Sequence, residues 1–307
     1  MILSKGAYLA MEYKEYNGNK VTLLPCSDCN AKCKHCYVSA RKNLNGDELI
    51  NIVKKLVSSG YEVDLNGTEP LLHRDYIQSF QYIGQTRVMT NGLVFKDNFE
   101  YLDDLKKSGI TTINTSYHFS LHSIISPVPK DYLLQLWAEI QKRGMRFTIN
   151  CTLSTHNYLA IDEICDETYE LGARRIRFTN LIRQGNSTGL DQRLFLNCEQ
   201  LNYTIEKICS CRSHYSPSAL YIERCGSFGP GSNHRKFFCP AGIDRVFIAT
   251  DAKVYPCVFL SRPGDEIGYY ENGHIYIDAG FSNDSTRCLA LDLLNGNYAI
   301  NAHNDND

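Results

Sequence analysis

Six short β-rich runs are separated by amphipathic stretches, and this alternation constrains the fold more than any other feature of the chain. The runs are VTLLP, YEVDLNG, TRVMTNG, TTINTSYHFSL, RFTINCTLS and RRIRFTNLI. Between them, apolar residues recur at three- and four-residue spacing: Leu49, Ile52, Val53, Leu56 and Val57 before Gly60; Phe99, Leu102 and Leu105 before Gly109; Leu133, Leu136, Trp137 and Ile140 before Gly144; Leu159, Ile161, Ile164 and Leu171 before Gly172. That spacing marks one face of a helix, and glycine suits the left-handed residue that ends one. Strands alternating with helices form a parallel sheet with right-handed crossovers, and ligands gather at the carboxyl ends of its strands. Function is therefore expected in the loops that follow strands.

The first such loop, directly after VTLLP, is CNAKCKHCY, with thiols at Cys29, Cys33 and Cys36. A closed zinc site or a fully protein-ligated iron–sulfur cube takes four protein ligands, so three thiols leave one position to something else. The 307-residue chain has thirteen cysteines, about 4% of its residues, below the level of a disulfide scaffold. In a reducing compartment such a cluster points to metal ligation or chemistry. No apolar run approaches the ~18 residues of a membrane span, and MILSKGAYLAMEYKEY lacks the apolar core of a secretion signal, so a cytoplasmic protein is expected. A formal charge of −2 gives no field to attract nucleic acid or an anionic membrane.

CNAKCKHCY resembles the CxxxCxxC loop of radical S-adenosylmethionine (SAM) enzymes, with Tyr37 as the aromatic that follows and His35 at the variable position. NGTEPLL, after the second strand, resembles the family's GGEP segment through Gly67, Thr68, Glu69 and Pro70, with Thr68 in place of the commonest second glycine. Thr90, Asn91 and Gly92 resemble its turn after the third strand. Ser120 and Asn150 stand on the fourth and fifth strands, where relatives place polar contacts to SAM; they and His122 are equally readable as satisfied polar groups at strand ends. A structural zinc with a distant fourth ligand fits the three thiols alone but does not account for the GTEP and TNG turns.

The resemblance covers residues 20 to 182 and implies a [4Fe-4S] cluster on Cys29, Cys33 and Cys36. SAM would occupy its open iron, with the methionyl ammonium at the GTEP segment. It also implies an α/β fold, a partial (β/α)6 radical SAM barrel over 20–184; before it the residues themselves predict an N-terminal β-hairpin extension, 1–19, in which AYLAMEY pairs with KVTLLP across a turn with Asn17-Gly18.

From about residue 185 shorter elements rich in Gly, Ser and Asn begin, over 185–299, with a disordered tail at 300–307. Here CPAGIDRVFIATDAKVYPCVFL reads as a hairpin turning at Asp251-Ala252 that brings Cys239 and Cys257 together. This resembles the SPASM auxiliary-cluster module of radical SAM enzymes, or its shorter twitch form, with Ala252 where the family has glycine. The resemblance implies a small α+β twitch-like domain with a second [4Fe-4S] auxiliary cluster on Cys239, Cys257, Cys288 and Cys225, or on the first three with an open iron. Cys26 reads as a strand-end residue and Cys151, Cys165 and Cys198 as core, whereas Cys209 and Cys211 carry no clear reading. Arg174, Arg175, Arg177 and Arg183 read as a solvated basic face, or as partners for a carboxylate or phosphate.

The resemblance implies an enzyme that cleaves SAM to a 5′-deoxyadenosyl radical and takes hydrogen from a peptide or small natural product. The auxiliary cluster would assist oxidation or bond formation, and a reductant such as flavodoxin or ferredoxin would supply the electron. Only 28 residues precede the first cluster cysteine, so a peptide substrate is expected to dock directly or on a separate recognition protein. The alternatives are an epimerase with Cys225 as hydrogen donor, a cyclase of the molybdopterin-precursor type, and a non-enzymatic zinc or iron–sulfur protein.

Overall fold

The computed structural model describes residues 12–38, 41–225, 239–283 and 288–290. In chain order its elements are β1 (Tyr13–Glu15), β2 (Lys20–Leu23), α1 (Gly46–Ser58), β3 (Glu62–Leu65), α2 (Ile77–Tyr82), β4 (Arg87–Thr90), α3 (Tyr101–Lys107), β5 (Thr112–Ser116), α4 (His122–Ile125) and α5 (Lys130–Lys142). There follow β6 (Arg146–Leu153), α6 (Ile161–Glu170), β7 (Arg175–Asn180), α7 (Cys198–His214), β8 (Tyr221–Arg224), β9 (Arg245–Ile248), β10 (Lys253–Tyr255), β11 (Gly268–Glu271) and β12 (His274–Asp278). All six expected strands form, and the four glycines expected to end helices, Gly60, Gly109, Gly144 and Gly172, have positive φ.

Local chemistry explains the elements. Asn45 caps α1 by accepting from Glu48 N–H at 2.9 Å while the Glu48 carboxylate accepts from Asn45 N–H at 2.9 Å, a reciprocal pair that satisfies two orphan donors. The helix then buries Leu49, Ile50, Val53 and Leu56 against the sheet. Leu159 departs from the expected pattern: it lies in a 3₁₀ turn, Tyr158–Ala160, ahead of α6, where helical periodicity does not apply, and is 63% exposed.

The parallel strands follow chain order. β4, β5, β6, β7 and β8 form one sheet, and β2 and β3 belong to a second in which β9 lies parallel to β2 on the other side. Where the ladder breaks between β3 and β4, the Gln85 carboxamide bridges it, accepting from Leu65 N–H at 3.0 Å and donating to Leu65 C=O at 3.1 Å. The parallel array also continues past residue 184, since α7 packs on α6 and β8 pairs with β7.

The expected N-terminal hairpin is corrected among the described residues. β1 pairs antiparallel with β12, and both edges of β2 are taken by β3 and β9; a strand with parallel partners on both sides has no edge left for a hairpin. The hairpin at the other end does form: β9 and β10 pair antiparallel, with the turn closed by Ala252 N–H to Ala249 C=O at 3.0 Å. Ala252 itself has φ +63°, the left-handed conformation that favours glycine. No helix among the described residues is long and apolar enough to cross a membrane.

Candidate active site

The loops after β2, β3, β4 and β7 converge at one end of the barrel and build the first thiol group by mutual support. Tyr76 OH donates to Pro25 C=O at 3.1 Å and to Leu44 C=O, and Leu44 N–H donates to Pro25 C=O at 3.1 Å, closing the cysteine loop at its root. Asn91 reaches across from the TNG turn, its Nδ2 3.4 Å from Cys29 Sγ and 2.8 Å from Asn30 Oδ1. On the far side Asn186 donates from its backbone to Cys36 C=O at 2.8 Å and from Nδ2 to Cys33 C=O at 3.1 Å. Gln184 Nε2 donates to Tyr37 C=O at 3.2 Å. A Cβ on Gly185, φ +60°, would lie 2.5 Å from Cys36 C=O, so only glycine lets this loop press so close.

Glu69 ties the two SAM-type turns together. Its fully buried carboxylate accepts from Thr90 OH at 2.8 Å and Asn91 N–H at 2.7 Å. Burial pushes its pKa up to about 7 against the pull of those bonds. Thr68 is not among the described residues with positive φ, and its hydroxyl donates to Cys26 C=O at 3.2 Å, so the departure from glycine carries no backbone strain. Gly67 packs its α-carbon against Pro25, where a Cβ would come within 3.1 Å, and Pro70 opens a 3₁₀ turn over Pro70–Leu72.

Burial pushes the Cys33 pKa up to about 12, with further upward push from Cys29 and Cys36. Burial likewise raises Cys29 and Cys36. Thiolates that repel one another in a buried loop are what positively charged iron relieves. Among the described residues no three His, Cys, Asp or Glu side chains stand close enough to clasp one metal ion; the corners of a four-iron cube lie farther apart than the ligands of a single ion. Three cysteine thiols on one short loop are the donor type that iron–sulfur clusters take.

A cavity of about 160 Å³ beside this loop is lined by Tyr37, Ser116, His118, Asn150, Thr179 and Cys225, among others. Asn150 lines this cavity, whereas Ser120 is not among its lining residues. The chain leaves β5 at Ser116 and turns at Phe119, φ +53°, so Ser120 faces outward and donates to His156 C=O at 3.3 Å. His122 is satisfied by Val128 C=O at 2.7 Å and by His118 N–H. His118 stands in the cavity wall, 4.7 Å edge-to-face from His35, which burial pulls down to about 4.

A second cavity, about 220 Å³, is lined by all four cysteines expected to form the second group, Cys225, Cys239, Cys257 and Cys288. Asn66, Arg177, Cys225 and Phe259 border both cavities. Burial, then Cys288, pushes Cys257 up to about 12. Tyr37 lies between the groups: its ring meets Phe259 edge-on at 5.0 Å, and both Cys36 and Cys257 contribute to raising its pKa, after burial. Of the expected core cysteines, Cys151 and Cys165 are fully buried and Cys198 packs against the same cluster; Cys211 joins that core. Cys26 is fully buried beside the loop.

Several positioning residues escape sequence reasoning. Arg41 docks the cysteine loop on the C-terminal hairpin through Asp251 at 2.9 Å, Tyr255 OH at 3.1 Å and Ser261 C=O. Gln184 and Asn186 act from a stretch whose only signal is a glycine flanked by amides.

No protein-family model matches the chain. It is 25% identical over 284 residues to a GTP 3′,8-cyclase from Synechocystis sp., the match covering 81% of this chain and 82% of the cyclase. Among solved structures, Streptococcus suis SuiB bound to S-adenosylmethionine superposes with TM-score 0.66 at 17% identity, covering 80% of this chain. The match spans 62% of SuiB's length. AnSMEcpe with bound AdoMet and the Kp18Cys peptide superposes with TM-score 0.62 at 15% identity over 92% of this chain and 82% of that one. The chain thus shares the α/β fold of these S-adenosylmethionine-bound structures.

Proposed function

We propose that the chain is a radical SAM enzyme that acts on a peptide or small natural product, with a second cluster assisting oxidation or bond formation. A [4Fe-4S] cluster on Cys29, Cys33 and Cys36, with SAM at its open iron, would supply the electron that cleaves SAM to methionine and a 5′-deoxyadenosyl radical. Glu69 holds the GTEP and TNG turns in register, and backbone carbonyls of that region would be the acceptors for the methionyl ammonium. Asn150 and Ser116 line the cavity and would offer polar contacts there, while its walls would limit water at the reacting carbon.

The observation that carries the reading is the convergence of CxxxCxxC, GTEP and TNG at one strand end, beside a cavity that adjoins four further thiols. Neighbours support a peptide substrate, since SuiB was solved with precursor peptide SuiA and anSMEcpe with the Cp18Cys peptide. Cys225 would serve as a fourth auxiliary ligand; its place between the two cavities also suits a hydrogen donor in an epimerase. A cyclase acting on a nucleotide is the second reading, favoured by the GTP 3′,8-cyclase relative.

The test is anaerobic reconstitution, iron and sulfide analysis and EPR, with 5′-deoxyadenosine measured after reduction in the presence of SAM. About eight irons and nucleoside formation are expected, against about four irons and no nucleoside in the Cys29/Cys33/Cys36→Ala variant. A wild type that yields no 5′-deoxyadenosine overturns the reading and leaves a structural or redox metal protein.

A further inference from the structure

The barrel end opposite the cysteine loops carries a concave site that the radical chemistry does not use. The first residues of β4, β5 and β6 are Arg87, Thr112 and Arg146, and they stand level, Arg87 beside Thr112 and Thr112 beside Arg146. Side chains in register across a sheet share a face, and every second residue along a strand returns to it. Met89, Ser116 and Asn150, at even spacing from these three, line the cavity inside the barrel. Arg87 and Arg146 therefore project from its inner face at the base, where with Arg174, Asp64 and Thr148 they line a cavity of about 510 Å³.

Cations outnumber anions there. Glu223 pairs with Arg175 and Arg177, and among the described residues this leaves Arg87, Arg146 and Arg174 without a carboxylate partner. Asp64 is the one acidic residue lining the cavity. Burial raises its pKa against the opposing pull of Arg87, Arg245 and Arg177. Burial also lowers the neighbouring Arg175 to about 10, with Arg87 and Arg177 adding to the shift. A second feature points to a ligand: Thr148 lines the cavity, is only 5% exposed, and its Oγ1 has no hydrogen-bond partner among the described residues. A buried hydroxyl without an acceptor is destabilising, and a ligand oxygen would satisfy it.

We propose that the base of the barrel is a phosphate-binding site, in which Arg87, Arg146 and Arg174 hold a phosphate group and the Thr148 hydroxyl donates to one of its oxygens. Guanidinium forks match phosphate oxygens in bidentate fashion, and convergent cations favour a doubly charged phosphate over a singly charged carboxylate. Active sites of barrel folds lie at the carboxyl ends of the strands; this site lies at their amino ends, sharing Asp64 with the cavity of the second thiol group, and does not depend on the SAM reading.

Isothermal titration of the full chain with phosphate, pyrophosphate and acetate at low salt tests it, with far-UV circular dichroism confirming that each variant folds. Pyrophosphate is expected to bind more tightly than phosphate, and acetate more weakly than either. The Arg87→Gln/Arg146→Gln variant should bind about tenfold more weakly or worse. Asp64→Asn, which removes the like charge, should bind more tightly. Absence of phosphate and pyrophosphate binding in the wild type, equal binding by the double variant, or acetate binding as tight as pyrophosphate overturns the proposal.

Discussion

The two thiol groups are assembled in opposite ways. Cys29, Cys33 and Cys36 share one short loop, and neighbouring turns only brace it, through Asn91 on one side and Asn186 on the other. Cys225, Cys239, Cys257 and Cys288 come from four separated places, the end of β8, the two flanks of the β9–β10 hairpin and a later segment, and meet only because the hairpin's first strand joins the barrel beside β2. The first group is a local motif carried by the fold; the second exists only once the fold is complete. Damage to it should accordingly leave the first intact.

The largest expected effect tests that independence. Cys239→Ser with Cys257→Ser is expected to lower reconstituted iron by about four per chain while 5′-deoxyadenosine formation from SAM persists. Loss of both signals together would mean that the groups are one cooperative unit, coupled through Tyr37 and Arg41.

Gly185→Ala strikes the brace of the first group. Its Cβ would press on Cys36 C=O at 2.5 Å and on the Tyr37 α-carbon at 2.9 Å, at φ +60°. A cost of about 3–4 kcal/mol is expected in chemical denaturation, with iron lost from the first group and kept by the second. Gly185→Asn, which tolerates the left-handed backbone but not the contact, should be nearly as damaging. An unchanged iron content would show that the loop holds its shape without the Gln184–Asn186 clamp.

What the sequence made legible follows the same division. CxxxCxxC, GTEP and TNG were readable because each is contiguous and lies at or just after the end of a strand. The six strand–helix repeats were readable because burial on one face imposes a period. Ser120 was misplaced because one positive φ at Phe119 takes the chain off the strand's alternation, which no residue type there announces. The fate of β1 was hidden for a different reason: its partner, β12, lies more than 250 residues away, and a turn with Asn17-Gly18 favours a hairpin only when both strands have a free edge. Arg41 and Gln184 are ordinary polar residues until the hairpin and the cysteine loop are in place.

Glu69 sharpens the comparison through pH, since it is fully buried and joins the two turns that brace the first group. With its pKa raised from 4.5 to about 7, the fold favours the protonated form in the SAM-free protein. That contribution is complete below about pH 4.5 and is lost as pH rises through about 7, a fall of about 3 kcal/mol in unfolding free energy. Glu69→Gln should flatten this slope between pH 5 and 8 in urea titrations, while giving up one of the two hydrogen bonds to the TNG turn. A wild-type profile that is already flat would mean that nearby dipoles keep the carboxylate charged throughout.

The smallest effect lies in the second group's own hairpin. Ala252 holds φ +63° in the turn between β9 and β10, where its carbonyl also accepts from Tyr270 N–H at 2.8 Å. A Cβ in that region costs about 1–2 kcal/mol, and glycine returns about 0.5–1 kcal/mol of that in unfolded-chain entropy. Ala252→Gly is therefore expected to stabilise the SAM-free chain by about 0.5 kcal/mol in paired urea titrations, with both iron signals unchanged. A loss of stability instead would mean that the methyl group packs to advantage against the adjoining strand, making this departure from glycine a gain at the hairpin rather than a tolerated strain. Because the hairpin carries Cys239 and Cys257 on its flanks, that result would also locate part of the second group's rigidity in the turn, as Gly185 locates part of the first group's in the loop after β7.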